Sequence, residues 1–423
     1  MGHFTFNLLG QRRYLPFFIV QFFGAFNDNV VRFAMIIMAS YTIYRAHPEQ
    51  AAQLSLIAGA LFMLPYFLFS ALAGQLADGM DKARLIRIIK RAELGIMGIA
   101  MLGLWQQSVG WLLIALFLMG VHSAFFGPVK YAILPQQLKP NEVLGGTGLL
   151  EAGTFLAILL GQLLGSLAPP HLAGWAATGF ALCGVAASQL IPPAPPVGRP
   201  APVDLNIARS IWRVSKLVLR RRDLALAVFG ISWFFSIGLV LQTQFAPMVS
   251  GVFHAGRNVV TLLLLVNTVS VAVGSVTIGA VLKGEITNRY VPASAYLMAL
   301  GCLDLWYATS HFVPGSADGG IAAFMQSAGA WHVLFALFLL AFSSGMFVVP
   351  LYAILQTRNA ANACAQGIAA NNIANAAFMV GLSLFAAFLL HSGLSVPQLI
   401  GSLGIETIAL TLIAYGFRLR ADD

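Results

Sequence analysis

Residues 192–222 read PPAPPVGRPAPVDLNIARSIWRVSKLVLRRR, and this stretch decides the fold. Its prolines make the first part an extended linker. From Asn206 onward, Ile207, Ile211, Trp212, Val214, Leu217 and Val218 recur at helical spacing. Arg209, Arg213, Lys216, Arg220, Arg221 and Arg222 lie between or just after them. The result is a basic amphipathic helix of the kind that lies on a membrane surface. On each side of it the chain offers six apolar runs. Before it these are 14–44, 52–77, 85–105, 109–132, 143–167 and 172–191. After it they are 224–249, 258–282, 291–312, 331–355, 365–390 and 395–417. The reading is an all-α polytopic membrane protein with twelve transmembrane helices in two six-helix halves, 1–191 and 223–423, joined by the linker segment 192–222.

Composition agrees. Of 423 residues, 59% are hydrophobic and 9% charged, with a mean hydropathy of +0.82. A soluble domain carries about 25% charged residues, so a soluble enzyme, a disordered chain and a nucleic-acid-binding domain are excluded as the main reading. The net charge of +9 reflects basic loops on one side of the membrane. With both termini cytoplasmic, all the lysines and arginines but Arg45, Arg257, Arg32 and Lys130 fall at the cytoplasmic face, including Arg199, Lys283, Arg358, Arg418 and Arg420. No cleavable leader is expected, because the apolar run after Arg12 and Arg13 is too long for one. Cys183, Cys302 and Cys364 have no metal or redox spacing and read as packing residues. No cofactor and no metal site are expected. The first run is too long for one straight span and predicts tilt or a bend near Gly24–Asn29.

The halves repeat. Phe126-Gly-Pro-Val-Lys-Tyr-Ala-Ile-Leu134 echoes Phe347-Val-Val-Pro-Leu-Tyr-Ala-Ile-Leu355, and the same offset carries Glu151 onto Asn372. A repeat of this kind indicates a secondary transporter whose halves rock around a midplane site.

Charged groups inside the spans mark candidate sites, because they are costly there. Asp28 lies mid-span between Asn27 and Asn29, and Arg32, one turn on, is a candidate partner. Lys130 in the fourth span can meet a phosphate as a point charge, or form a structural bridge with Glu151 in the fifth. Gln242, Asn371 and Asn372 are candidates to line a polar cavity, or to bond between helices. Glu93, with Lys90 and Arg91, is expected to snorkel at a span end. His122 reads as a packing residue, while Asp304 and Glu406 show no partner in the sequence. Gly120, Gly161 and Gly165 suit close helix contact, and Pro65, Pro128, Pro247 and Pro350 are expected to kink their spans.

Between the second and third spans, Gly74-Gln-Leu-Ala-Asp78-Gly-Met-Asp-Lys82-Ala-Arg84 resembles the signature loop of the major facilitator superfamily, with Lys82 or Ala83 at its second glycine. Gly74, Asp78, Lys82 and Arg84 then form a candidate gating loop, in which the acid and the bases lock two helices in one state and Gly74 permits close packing. Gly24-Ala-Phe-Asn-Asp28-Asn29, Gly127-Pro-Val-Lys130-Tyr-Ala-Ile-Leu134, Gly148-Leu-Leu-Glu151-Ala, Pro350-Leu-Tyr-Ala-Ile-Leu-Gln356 and Asn371-Asn372 are similar to the lysophospholipid transporters of Gram-negative bacteria. That resemblance implies movement of lysophospholipid from the outer to the inner leaflet of the inner membrane, and a cytosolic or membrane-associated acyltransferase as partner. No acyltransferase is expected to be fused to this chain. In the resemblance, Lys130, Glu151 and Asp28 meet the headgroup, and Asn27, Asn29, Arg32, Gln242, Asn371 and Asn372 line the cavity. The chain departs from the family at Gln242, where relatives carry arginine, and at Arg32, where they carry an apolar residue. The resemblance therefore does not carry a gate between Asp28 and the seventh span over to this chain.

Two other readings compete. A proton-coupled exporter of drugs or small amphiphiles keeps the fold, with Asp304 and Glu406 as candidate proton sites. A membrane enzyme needs a catalytic constellation, and neither His-x-x-x-x-Asp nor Gly-x-Ser-x-Gly occurs.

Overall fold

The structure is a computed structural model that describes residues 7–139, 142–196, 204, 206–282, 287–315, 319–357 and 364–422. Arg199, Lys283 and Arg358 lie outside the described residues. Among the described residues there is no β-strand, and fourteen α-helices follow one another. In the first half they are α1 Leu15–Met38, α2 Pro48–Gly79, α3 Lys82–Trp105, α4 Val109–Gln137, α5 Val143–Leu167 and α6 Pro170–Gln189. The linker helix is α7 Ile207–Leu219. Then come α8 Arg222–Gly251, α9 Arg257–Leu282, α10 Val291–Ser310, the short α11 Ile321–Gln326, α12 Ala330–Thr357, α13 Cys364–His391 and α14 Val396–Asp422.

Among the described residues nine of these helices are long and apolar enough to cross a membrane by length and composition. The remaining long helices, α3, α6 and α10, fall short for a physical reason. The first half of α3 carries Lys82, Arg84, Arg87, Lys90, Arg91 and Glu93, and α6 and α10 have only 20 residues each, several of them polar. The α-helix of the first span runs unbroken through Gly24–Asn29. Its irregularity comes later, as a π turn at Ala39–Ile43, where one extra residue per turn is accommodated.

Contacts divide the chain into two compact units. One comprises Met1–Met38 and Leu61–Trp212, the other Ala39–Ala60 and Arg213–Asp423. In the first, Tyr14, Phe17, Ile86, Phe126, Val129 and Leu150 build an apolar core. In the second, Leu224, Ile231, Ala295, Phe347, Leu351 and Ile354 do the same.

Without a hydrophobic drive between helices in lipid, close backbone approach supplies the packing, and glycine is the residue that allows it. A Cβ on Gly161 would stand 2.5 Å from the Phe26 carbonyl oxygen, and one on Gly165 equally close to that of Val30. In the second unit a Cβ on Gly274 would be 1.9 Å from the Phe342 oxygen, and one on Gly345 2.2 Å from that of Val271. The entry to α1 is tied down by polar contacts. Arg13 Nη2 donates to Glu142 Oε1 at 2.8 Å and Nη1 to the Gln137 carbonyl at 3.2 Å. The Arg13 hydrogen bond holds the Glu142 carboxyl below the usual glutamate range. Within the second unit the 39–60 segment is held by Gln244, whose Nε2 donates to the Ala52 carbonyl at 3.1 Å.

Candidate functional site

Two charged clusters stand inside the first unit. The outer one joins α4 to α5. Lys130 Nζ lies 3.0 Å from Glu151 Oε1, with the side chains 13% and 31% exposed. Tyr131 Oη donates to the same Glu151 oxygen at 2.9 Å, and Lys130 Nζ sits 4.7 Å from the centre of the Tyr131 ring. The lysine is held by a carboxylate and an aromatic face, and the pair is partly open. A partly open opposite-charge pair can exchange partners with an incoming zwitterion, which offers each charge a new counter-charge.

The inner cluster was not legible from the sequence. Lys90 and Glu93, expected to snorkel, are each 1% exposed and paired with one another inside the unit. They cannot snorkel because α3 presents this face to the other helices. A Cβ on Gly24 would stand 2.7 Å from Lys90 Nζ, and one on Gly184 would be in ordinary contact with the same side chain. The Phe126 ring lies 5.3 Å from the ammonium. Asn27 Nδ2 donates to Glu93 Oε1 at 3.1 Å. His122 Nε2 approaches Glu93 Oε2 to 3.3 Å, and its Nδ1 lies 3.4 Å from Ser123 Oγ. Ser123 in turn donates to Asp28 Oδ2 at 2.5 Å. Asp28, Asn27, Ser123, His122, Glu93 and Lys90 thus make one buried chain across α1, α4 and α3.

Arg32 does not pair with Asp28. Its Nη2 donates to Asn29 Oδ1 at 2.8 Å, and its guanidinium stacks 5.5 and 5.6 Å from the Phe33 and Phe62 rings. The serine of α4 is the group that reaches Asp28, so the neighbour four residues on is not needed. Asp28 Oδ1 and Arg32 Nε remain without a hydrogen-bond partner while buried. Asn29 Nδ2 also donates to the Ala25 carbonyl at 2.8 Å.

Of the candidate gating loop, Gly74 and Asp78 lie in the last turns of α2 and Lys82 and Arg84 in the first turn of α3, with only 80–81 between the helices; Asp78 and Arg84 are exposed while Lys82 is buried. A Cβ on Gly74 would meet nothing within 4 Å, so this glycine is not a close-packing contact, because no neighbouring helix approaches it. The acid with structural bonds is Asp81. Its carboxylate accepts from the Arg84 backbone N–H at 2.8 Å and from that of Ala194 at 3.0 Å, which caps α3 and pins the start of the linker. Gln75 accepts from the Asp204 backbone N–H at 2.6 Å and donates to Ser210 Oγ at 3.3 Å, so α7 is held against the same end of α2.

In the second unit Gln242 is half-buried, Asn371 buried and Asn372 exposed. Gln242 stands on α8, and the two asparagines are neighbours on α13. Among the buried amides there, Gln244, Asn267 and Asn371, the Gln244 and Asn371 side-chain oxygens have no hydrogen-bond partner. Asn375, on α13, accepts from Ser232 Oγ at 2.8 Å. Asp304 has a partner after all: His332 Nε2 lies 2.8 Å away, 28 residues along the chain and hence invisible to local spacing.

The profile of the Major Facilitator Superfamily matches residues 17–386, and the chain belongs to that family. The lysophospholipid transporter LplT of Salmonella typhimurium is 30% identical over 386 residues, covering 88% of this chain and 87% of that protein. Its counterpart from Pectobacterium carotovorum is 27% identical over 382 residues, covering 87% and 84%. Among solved structures, a POT family transporter in complex with 5-aminolevulinic acid superposes with a TM-score of 0.71 at 13% identity, covering 95% of each chain. A bacterial homolog of the human lysosomal transporter Spinster gives 0.63 at 11% identity, covering 96% of each. These structural likenesses speak for the fold.

Proposed function

We propose that this chain carries lysophospholipids, such as lysophosphatidylethanolamine, from the outer to the inner leaflet of a bacterial inner membrane, with both termini cytoplasmic. The carrying observation is the identity to lysophospholipid transporters, which reaches 30% over most of both chains. It is joined by a physical match at Lys130 and Glu151. A lysophosphatidylethanolamine headgroup is a phosphate beside an ammonium. Lys130 and Glu151, 3.0 Å apart, offer the opposite charges at the same spacing scale. The phosphate takes Lys130, the ammonium takes Glu151, and the pair opens without leaving either charge bare.

Asp28 and its chain to Lys90 act behind this contact, fixing the relative positions of α1, α3 and α4 as the headgroup passes. Halves 1–191 and 223–423 serve as the two moving bodies, with 192–222 as the connector. Gly74, Asp78, Lys82 and Arg84 form the gating loop, and Gln242, Asn371 and Asn372 line the polar path. The product is a one-tailed lipid at the cytoplasmic leaflet, so an acyltransferase that restores the second chain is the expected partner.

The test is conversion of labelled lysophosphatidylethanolamine to two-chain lipid by cells that express the chain and an acyltransferase. Conversion is expected with wild type, and Lys130→Ala and Glu151→Gln should slow it about tenfold, the scale of one lost charged hydrogen bond. Wild-type cells that convert no more than cells lacking the chain would refute the reading.

A further inference from the structure

Inside the spans of the first unit most charges have a partner. Lys90 has Glu93 and Lys130 has Glu151, while Asp28 accepts from Ser123. Among the described residues Arg32 has no carboxylate within ion-pair distance. Its Nη2 donates to the Asn29 amide oxygen, and the guanidinium otherwise meets the Phe33 and Phe62 rings. Nε is buried without a hydrogen-bond partner. A guanidinium carries five N–H donors in a fixed fork, and one amide oxygen does not satisfy them. A cation kept inside a span without a counter-charge is costly and marks an ion or substrate path. The fork fits a phosphate, whose oxygens accept two parallel N–H bonds.

The level of Arg32 in the unit is fixed through α2. The Phe62 ring lies 5.6 Å from the guanidinium. The carbonyl oxygen of the same Phe62 would stand 2.3 Å from a Cβ on Gly120 of α4. Arg32 is therefore near the level of Gly120. Lys130 lies ten residues further along α4, about 15 Å at the rise of an α-helix. That is about half the hydrocarbon thickness of a bilayer, a separation that puts the two cations at successive positions on one path. With both termini cytoplasmic, α4 runs inward, so Arg32 is the outer cation and Lys130 the inner one.

We infer that Arg32 is an outer phosphate-binding residue, which takes the alkyl phosphate of a single-chain lipid arriving from the outer leaflet, ahead of Lys130. The inference rests on the lysophospholipid reading and adds an earlier contact for the same substrate. Asp28, one turn inward of Arg32 on α1 and bonded to Ser123 of α4, stands between the two cations. Its negative charge keeps a phosphate from resting midway, so the headgroup sits at one cation or the other.

The experiment measures binding of dodecyl phosphate to the full chain in phosphatidylcholine nanodiscs. All proteins carry Lys130→Ala, so that the inner phosphate contact is removed. Adding Arg32→Leu should weaken dodecyl phosphate binding about tenfold, the scale of one lost charged hydrogen bond. Arg32→Lys keeps the charge and should keep most of the binding. Dodecyltrimethylammonium, which has the tail and no phosphate, should bind all three proteins alike, as an intact fold requires. Inorganic phosphate, which lacks the tail, should compete far less well than dodecyl phosphate. Undiminished binding in Arg32→Leu would overturn the contact. An equal loss of dodecyltrimethylammonium would overturn the phosphate assignment, and inorganic phosphate that competes equally well would overturn a lipid as its source. Conversion of lysophosphatidylethanolamine in cells separates the two ideas. Wild type that converts, with dodecyl phosphate binding undiminished in Arg32→Leu, refutes the outer contact alone. Loss of that binding in Arg32→Leu, with no conversion by wild type, refutes the transport reading alone.

Discussion

Lys90 shows what a charge inside a bundle requires. At 1% exposure the ammonium has lost its water, and only Glu93 and the Phe126 face replace it. Removing one member of a buried pair leaves the other uncompensated, at about 3–5 kcal/mol, whereas replacing both by apolar residues of similar volume is near neutral. Lys90→Met alone should therefore lower the melting temperature of the purified protein sharply, and Lys90→Met with Glu93→Met should recover most of the loss. Single and double variants that melt together would contradict the buried pair. Lys90 was misplaced from the sequence because it lies eight residues after the basic loop, where a snorkelling side chain is the natural reading. The groups that bury it, Gly24, Phe126 and Gly184, come from other helices. Arg32 failed for a related reason: helical spacing offered Asp28, but Ser123 from α4 and the Phe62 ring from α2 decided the partners. Lys130 and Glu151 were legible because both stand out as charges in adjacent apolar spans.

At the scale of the element, glycine position matters more than glycine number. On α9, Gly274 lies so close to the Phe342 carbonyl of α12 that a Cβ there would stand 1.9 Å from the oxygen, while a Cβ on Gly279, one and a half turns on, would meet nothing within 4 Å. Gly274→Ala must push the two helices apart and should lower the melting temperature by several degrees. Gly279→Ala meets no obstacle and gains helix propensity, up to about 1 kcal/mol, so its melting temperature should hold or rise. Thermal scans that rank the two variants the other way would contradict the α9–α12 contact. The helices themselves were readable from apolar run length, and the amphipathic α7 from its basic face. The π turn at Ala39–Ile43 was not, because nothing in Ala-Ser-Tyr-Thr-Ile breaks the apolar run.

At the scale of the molecule, two helical units, an internal repeat and a connector make a major facilitator, and the proposed cargo, a zwitterion with one tail, rests on the identity to lysophospholipid transporters. The repeat was legible as a shared Tyr-Ala-Ile-Leu. That the first copy encloses an ion network was not, since it depends on what packs beside Phe126. If the headgroup exchanges with an ion pair and no proton is carried, transport should run down the lipid gradient alone. The most direct measurement is the initial rate at which labelled lysophosphatidylethanolamine reaches the inner leaflet in cells expressing wild type or Lys130→Ala, with and without an uncoupler. The account predicts a wild-type rate that the uncoupler leaves unchanged and a Lys130→Ala rate about tenfold lower. A wild-type rate no higher than in cells without the chain, or equal rates for wild type and Lys130→Ala, would contradict it.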